Sequence, residues 1–119
     1  MDAFAITRVY ADENGDSRFE DFSRPLNSEG EIGFLSDPEA VVDIIFRKVV
    51  STYDYDFHNA PARQYLFLLD GGIEIETSLG EKRRFETGEV LLLEDTTGKG
   101  HKTRNLEPAV RSSVFVTLK

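Results

Sequence analysis

An all-β fold, closed into a small barrel or jelly roll, is what this sequence predicts, and three observations predict it. Short runs rich in Val, Ile, Phe, Tyr and Thr recur along the whole chain. Gly, Asp, Asn or Pro separates each run from the next, and helical periodicity is hard to find. Nine such strands within 119 residues would expose open edges unless the sheet closes or doubles.

The elements follow in order. Residues 4–10 and 17–25 read as strands joined at Asn14-Gly15, a dipeptide suited to a tight hairpin turn. Residues 27–37 are the least apolar stretch and read as a surface loop, and Asp37-Pro38-Glu39-Ala40 could open one helical turn. Residues 41–52 read as one long strand with apolar residues on both faces (Val42, Ile44 and Phe46; Val41, Ile45 and Val49). That is more than one barrel core needs, so the strand points to a symmetric homodimer. Strands are then expected at 63–70, 73–79, 82–86, 90–94, 101–105 and 110–118, with glycine turns at Asp70-Gly71-Gly72 and Leu79-Gly80-Glu81. No linker or repeat interrupts them, and residues 1–119 read as one domain.

Composition narrows the function classes. Net charge is −8, with residues 1–60 carrying 13 acidic and 5 basic side chains and residues 61–119 carrying 9 of each. Nucleic acid demands a basic face, so it is not an expected partner. The absence of cysteine excludes disulfides, thiolate metal sites and thiol nucleophiles, and fits a reducing compartment. No apolar run approaches membrane-spanning length and the first residues do not read as a signal segment, so a soluble, cytoplasmic protein without a membrane partner is expected.

The only two histidines stand in patterned segments. In the first, His58 precedes Ala60-Pro61, then Arg63-Gln64-Tyr65-Leu66-Phe67-Leu68 runs to a turn at Gly71. In the second, Gly88 opens Glu89-Val90-Leu91-Leu92-Leu93-Glu94-Asp95, and His101 follows with Asn105 four residues on. These segments resemble the two motifs of the cupin family. Counted back from Gly71, Gln64 stands in the place of the family glutamate, Ala60 at its second histidine and His58 at its first. In the second motif Gly88 is the opening glycine, His101 and Asn105 keep their spacing, and Glu94 replaces a proline. The interval from Gly88 to His101 is two residues longer than the family's, with the insertion at residues 96–100. The strings His-x-Ala-Pro-x-Arg-Gln-Tyr and Glu-Asp-Thr-Thr-Gly-Lys-Gly-His are similar to a subgroup of small single-domain cupins, a likeness that implies a cupin-type β-barrel but brings no activity with it.

The resemblance implies a site inside the barrel. Cupins that hold a metal typically use three histidines and a glutamate; here His58 and His101 remain, with Gln64 as a neutral amide. Such a set, completed by water, would hold a divalent transition metal (Zn, Ni, Fe or Mn) more weakly than four strong ligands. Without metal, the imidazoles of His58 and His101 can move protons near neutral pH. By alternation Leu66 and Leu68 share the inward face with Gln64 and are expected to line a small-molecule pocket, while Arg63, Tyr65, Phe67 and Leu69 face outward. Gly98-Lys99-Gly100 lacks the spacing of a phosphate loop and reads as a turn required by the insertion. Glu94 and Asp95 should point to opposite faces and so are not an acid/base pair. Two function classes stay open at this point: an enzyme acting on a small organic substrate through His58 and His101, and a non-catalytic ligand-binding or sensor protein without metal.

Overall fold

The structure, a computed structural model, describes residues 2–119. Strands β1 (Ala3–Ala11) and β2 (Ser17–Pro25) form the first hairpin, with Ala3 opposite Pro25 and Ala11 opposite Ser17. A minor hairpin of β3 (Asn27–Ser28) and β4 (Phe34–Leu35) encloses a single 3-10 turn at Gly30–Ile32. Then come β5 (Ile44–Val49), β6 (Asp54–His58), β7 (Gln64–Leu68), β8 (Ile73–Thr77), β9 (Lys82–Phe85), β10 (Val90–Leu93), β11 (His101–Asn105) and β12 (Arg111–Thr117). Six of them make one sheet in the order β2-β1-β10-β7-β12-β5, and four make a second in the order β6-β11-β8-β9. Every long pairing is antiparallel except β1 with β10. Among the described residues no helix is long and apolar enough to cross a membrane.

The two sheets face each other over an apolar layer. Val9, Leu66, Leu68, Leu91 and Leu93 come from the larger sheet, and Ile73, Ile75 and Phe85 from the smaller. Each fully buried side chain of this kind stabilises the fold by roughly 1.5–3 kcal/mol. The outer face of the larger sheet carries its own apolar cluster of Ile6, Tyr65, Val90, Leu92 and Leu118, flanked by Phe22, Phe67 and Val116. β7 and β10 are therefore covered on both faces, which explains why Val90-Leu91-Leu92-Leu93 is continuously apolar rather than alternating.

Three expectations are corrected. The segment expected as one strand over 41–52 is cut short: β5 ends at Val49, and a turn at 50–53 releases the chain into β6, which was not anticipated. Asp54 and Asp56 dilute the strand signal there, although Tyr55 and Phe57 alternate with them. Asp37-Pro38-Glu39-Ala40 forms no helical turn. It runs irregularly along the outer face, where Tyr65 Oη donates to Glu39 Oε1 at 2.5 Å and Arg24 donates to Tyr65 Oη at 2.6 Å. Downstream the Val42 N–H donates to Thr117 O at 2.8 Å, so partners from β12, not helical ones, satisfy this backbone.

Candidate functional site

His58 and His101 meet because β6 and β11 pair with these two residues directly opposite each other. Their ring centroids lie 4.6 Å apart, with the planes tilted by 56°. The register shifts between His101 and Thr103, since His101 faces His58 but Thr103 faces Tyr55. This bulge adds one residue to β6 and lets Tyr55 and His58, three apart, share a face. Their rings stack at 4.0 Å and 16°. The tight fit of the two strands depends on Gly100, at φ +76°: a Cβ there would lie 2.2 Å from His58 O.

Each imidazole is held by its Nδ1. His58 Nδ1 is 2.8 Å from Asp56 O, a carbonyl that only accepts, so Nδ1 carries the hydrogen and Nε2 keeps the lone pair. Burial holds this imidazole below its usual range; the Asp56 carbonyl pulls the other way and His101 adds to the lowering. His101 is almost fully buried, and its Nδ1 lies 2.5 Å from Asp95 Oδ2. Ser17 Oγ donates to the same oxygen at 2.8 Å. Asp95 is itself fully buried, and its Oδ1 has no partner among the described residues.

Asp95 is a site residue that sequence reasoning missed. Leu91 and Leu93 face inward along β10, and continuing that alternation past the strand end turns Asp95 inward and Glu94 outward. The adjacent pair does split as expected, and the inward member lands on His101. Glu94 instead joins Arg63 at 2.6 Å and Arg8 on the outside. Burial alone would raise its carboxyl, but the two guanidiniums overcome this and hold it below the usual carboxylate range.

A cavity of about 380 Å³ opens in front of the histidines. Of the residues singled out from sequence, His58, Gln64, Leu66 and His101 line it together. Leu68 does not. It keeps the inward parity of Gln64, but lies further along β7, packed in the core beside Ile73 and Phe85. Ile45, Ile75, Leu93 and Phe115 supply apolar walls, and Arg47, Tyr53 and Tyr55 close another side. Tyr65 belongs to the outer cluster, Phe67 flanks it, and Leu69 is exposed. The 96–100 insertion is pinned to the first hairpin turn: the Lys99 N–H donates to Gly15 O at 2.8 Å, and its ammonium lies 3.0 Å from Asp16.

The donor set does not match a resident metal of the usual cupin kind. Two imidazoles and a neutral amide are present, Ala60 is buried where the family's second histidine stands, and no cluster of three or more His, Cys, Asp or Glu suited to an ion occurs among the described residues. Such a set would hold a divalent ion weakly.

No family model and no curated protein sequence matches this chain. Among solved structures, protein NMB1881 from Neisseria meningitidis is similar at 18% identity and a TM-score of 0.50, covering 67% of this chain and 81% of that one. The cupin domain of Cnp3 from Schizosaccharomyces pombe is similar at 12% identity and a TM-score of 0.50, covering 100% of this chain and 86% of that one. At these identities the likeness speaks for the fold alone. Two facing, mostly antiparallel sheets, a pair of motif histidines brought together between them, and a cupin domain matched over the whole length establish a cupin-type β-barrel fold.

Proposed function

We propose that this protein is a small-molecule enzyme that moves protons on its ligand through His58 and His101. The observation that carries the reading is the line Ser17–Asp95–His101 ending beside His58 on the wall of one cavity. A buried carboxylate that accepts from Nδ1 fixes the imidazole's tautomer and orientation, the arrangement that orders a histidine for proton transfer. His58 has the complementary environment. Burial keeps it neutral, its Nδ1–H is committed to Asp56 O, and Nε2 is left as a base. Two titratable groups whose surroundings differ in this way suit isomerisation, cyclisation or lyase chemistry, each of which removes a proton at one atom and returns it at another. No step passes through a metal.

The reading is tested by hydrogen–deuterium exchange at carbon acids in D2O, followed by proton NMR on protein dialysed against a chelator. The probes are an uncharged carbonyl compound (2-butanone) and a charged one (2-oxobutyrate). Exchange should exceed the buffer rate for at least one probe and fall by about 10²-fold or more in His58→Gln and Asp95→Asn, the usual scale of acid–base catalysis. Binding without any exchange would favour a non-catalytic ligand-binding protein. Exchange that needs added zinc or nickel would restore the metal.

A further inference from the structure

Around Tyr53, on the wall of the same cavity, two guanidiniums stand without an ion pair among the described residues. Arg111, on β12, is only 2% exposed, and its Nη1 and Nη2 have no hydrogen-bond partner among the described residues. Its Nε donates to Asn105 Oδ1 at 2.9 Å, and Asn105 in turn donates to Val50 O and Ala109 O. Leaving a buried guanidinium so poorly matched is strongly unfavourable unless something compensates it. Arg47, on β5, lines the cavity itself. Its Nε donates to Ser113 Oγ at 3.1 Å, and its guanidinium packs 4.5 Å from the Phe115 ring centroid and 5.6 Å from that of Tyr53. Arg111 sits 5.5 Å from that same Tyr53 ring.

The two cations thus share one aromatic partner, and neither forms an ion pair among the described residues. Burial, and then the charge of Arg47, depress the Arg111 guanidinium; Tyr53 and Asp70 oppose them, while Asp70 also accepts the Ser112 N–H. In a chain of net charge −8, this is a local concentration of positive charge, with Arg47 on the pocket wall and Arg111 buried beside it.

We propose that the ligand of this cavity is a small organic carboxylate, its anionic end held by Arg47 and its charge balanced by Arg111 behind Tyr53. This rests on the cavity being the ligand site of the preceding reading, and it names the class of ligand. A guanidinium packed against aromatic rings, with its outer N–H groups making no hydrogen bond among the described residues, offers a carboxylate two parallel hydrogen bonds. The walls of Ile45, Leu66, Ile75, Leu93 and Phe115 then cover a short hydrocarbon body, and its far end reaches His58 and His101. A phosphate dianion would call for more donors than one guanidinium on the wall provides. Arg47 is the contacting residue, and Arg111 is a positioning residue that acts through the field around Tyr53.

The experiment is an NMR titration of the whole chain with benzoate and butyrate, against benzamide, butyramide and inorganic phosphate. The carboxylates should bind at least about tenfold more tightly than their amides, and Arg47→Gln should remove that advantage, as expected for a charge-assisted pair. Arg111→Met should weaken the carboxylates while Arg111→Lys, which keeps the charge, restores most of the affinity; circular dichroism checks that each variant is folded. Because Arg47 is only half-buried, its variant keeps the test valid if Arg111→Met fails to fold. Amides binding as tightly as acids, an unaltered Arg47→Gln titration, or phosphate outcompeting benzoate would each overturn the assignment. His58→Gln should still bind benzoate. Binding without proton exchange would sink the acid–base reading and leave the ligand class standing.

Discussion

At the scale of single residues, His58 carries a consequence that can be measured without knowing any ligand. Its folded value lies below the usual imidazole value of about 6.5, first because burial disfavours its charged form. Above pH ~6.5 the imidazole is neutral in both folded and unfolded chains and does not affect stability. As pH falls through that value, the unfolded chain takes up a proton that the folded chain resists, so stability declines until the folded value is passed. Urea midpoints between pH 8 and 5 should therefore fall in the wild type and stay flatter in His58→Gln. Asp16 and Glu94, whose carboxyls are also held low, act only below about pH 4.5 and leave this window clear. Equal slopes in the two proteins would show that His58 does not titrate as its surroundings require. The histidines were legible in the sequence because a motif spacing surrounds each of them. Arg47 and Arg111 were not, since they stand on strands with no motif and are neighbours only through the pairing of β5 with β12. Asp95 was half legible: its face followed from alternation, its partner did not.

At the scale of elements, the outer hairpin and the strands from Gln64 onward follow the alternation and turn residues of the sequence closely, and β2 and β11 match their expected bounds. β6 was hidden because strand propensity counts Asp54 and Asp56 against it, whereas the strand exists through its pairing with β11. The bulge within it could not be read from the sequence at all, and it decides that Tyr55 and His58 stack. Gly100 is where this arrangement can be broken. A left-handed φ there disfavours any side chain by about 1–2 kcal/mol, and a methyl group would collide with His58 O and with Asn59 N at 3.1 Å. These obstacles are backbone atoms, which cannot swing aside. Gly100→Ala should lower stability by about 2 kcal/mol or more and push β6 away from β11. In NMR spectra the ring signals of His58 and His101 should then lose their mutual nuclear Overhauser contacts. Unchanged stability with the contacts intact would mean that the close approach at Gly100 is not needed to bring the rings together.

At the scale of the whole molecule, one edge of the larger sheet is unfinished. β5 pairs only with β12, so its other side presents free backbone donors and acceptors. Its side chains Ile44, Ile45 and Phe46 are exposed, Phe46 by 76%, and Val41, Val42 and Val50 continue the patch beyond it. Soluble proteins usually blunt such an edge with charge, proline or a covering segment. Lys48 is the only lysine on β5, and its ammonium lies 2.8 Å from Ser112 Oγ. Apart from the buried Val49, the apolar excess on both faces of this segment, already apparent in the sequence, is therefore surface rather than core. A second copy related by a twofold axis would satisfy it by setting β5 against β5, which closes the edge without leaving a new one. Ile45 also lines the ligand cavity, so association at this edge would stiffen one wall of the site. Light scattering at micromolar concentration should give twice the 13.5 kDa chain mass. Phe46→Glu should return the protein to the single-chain mass while circular dichroism shows it still folded, because so exposed a ring adds little to the fold of one copy. A wild-type mass of 13.5 kDa at these concentrations would reject the dimer. A Phe46→Glu protein that stays dimeric would move the interface elsewhere, to the outer face around Phe4, Phe34 and Leu35, another place where large apolar side chains lie exposed together.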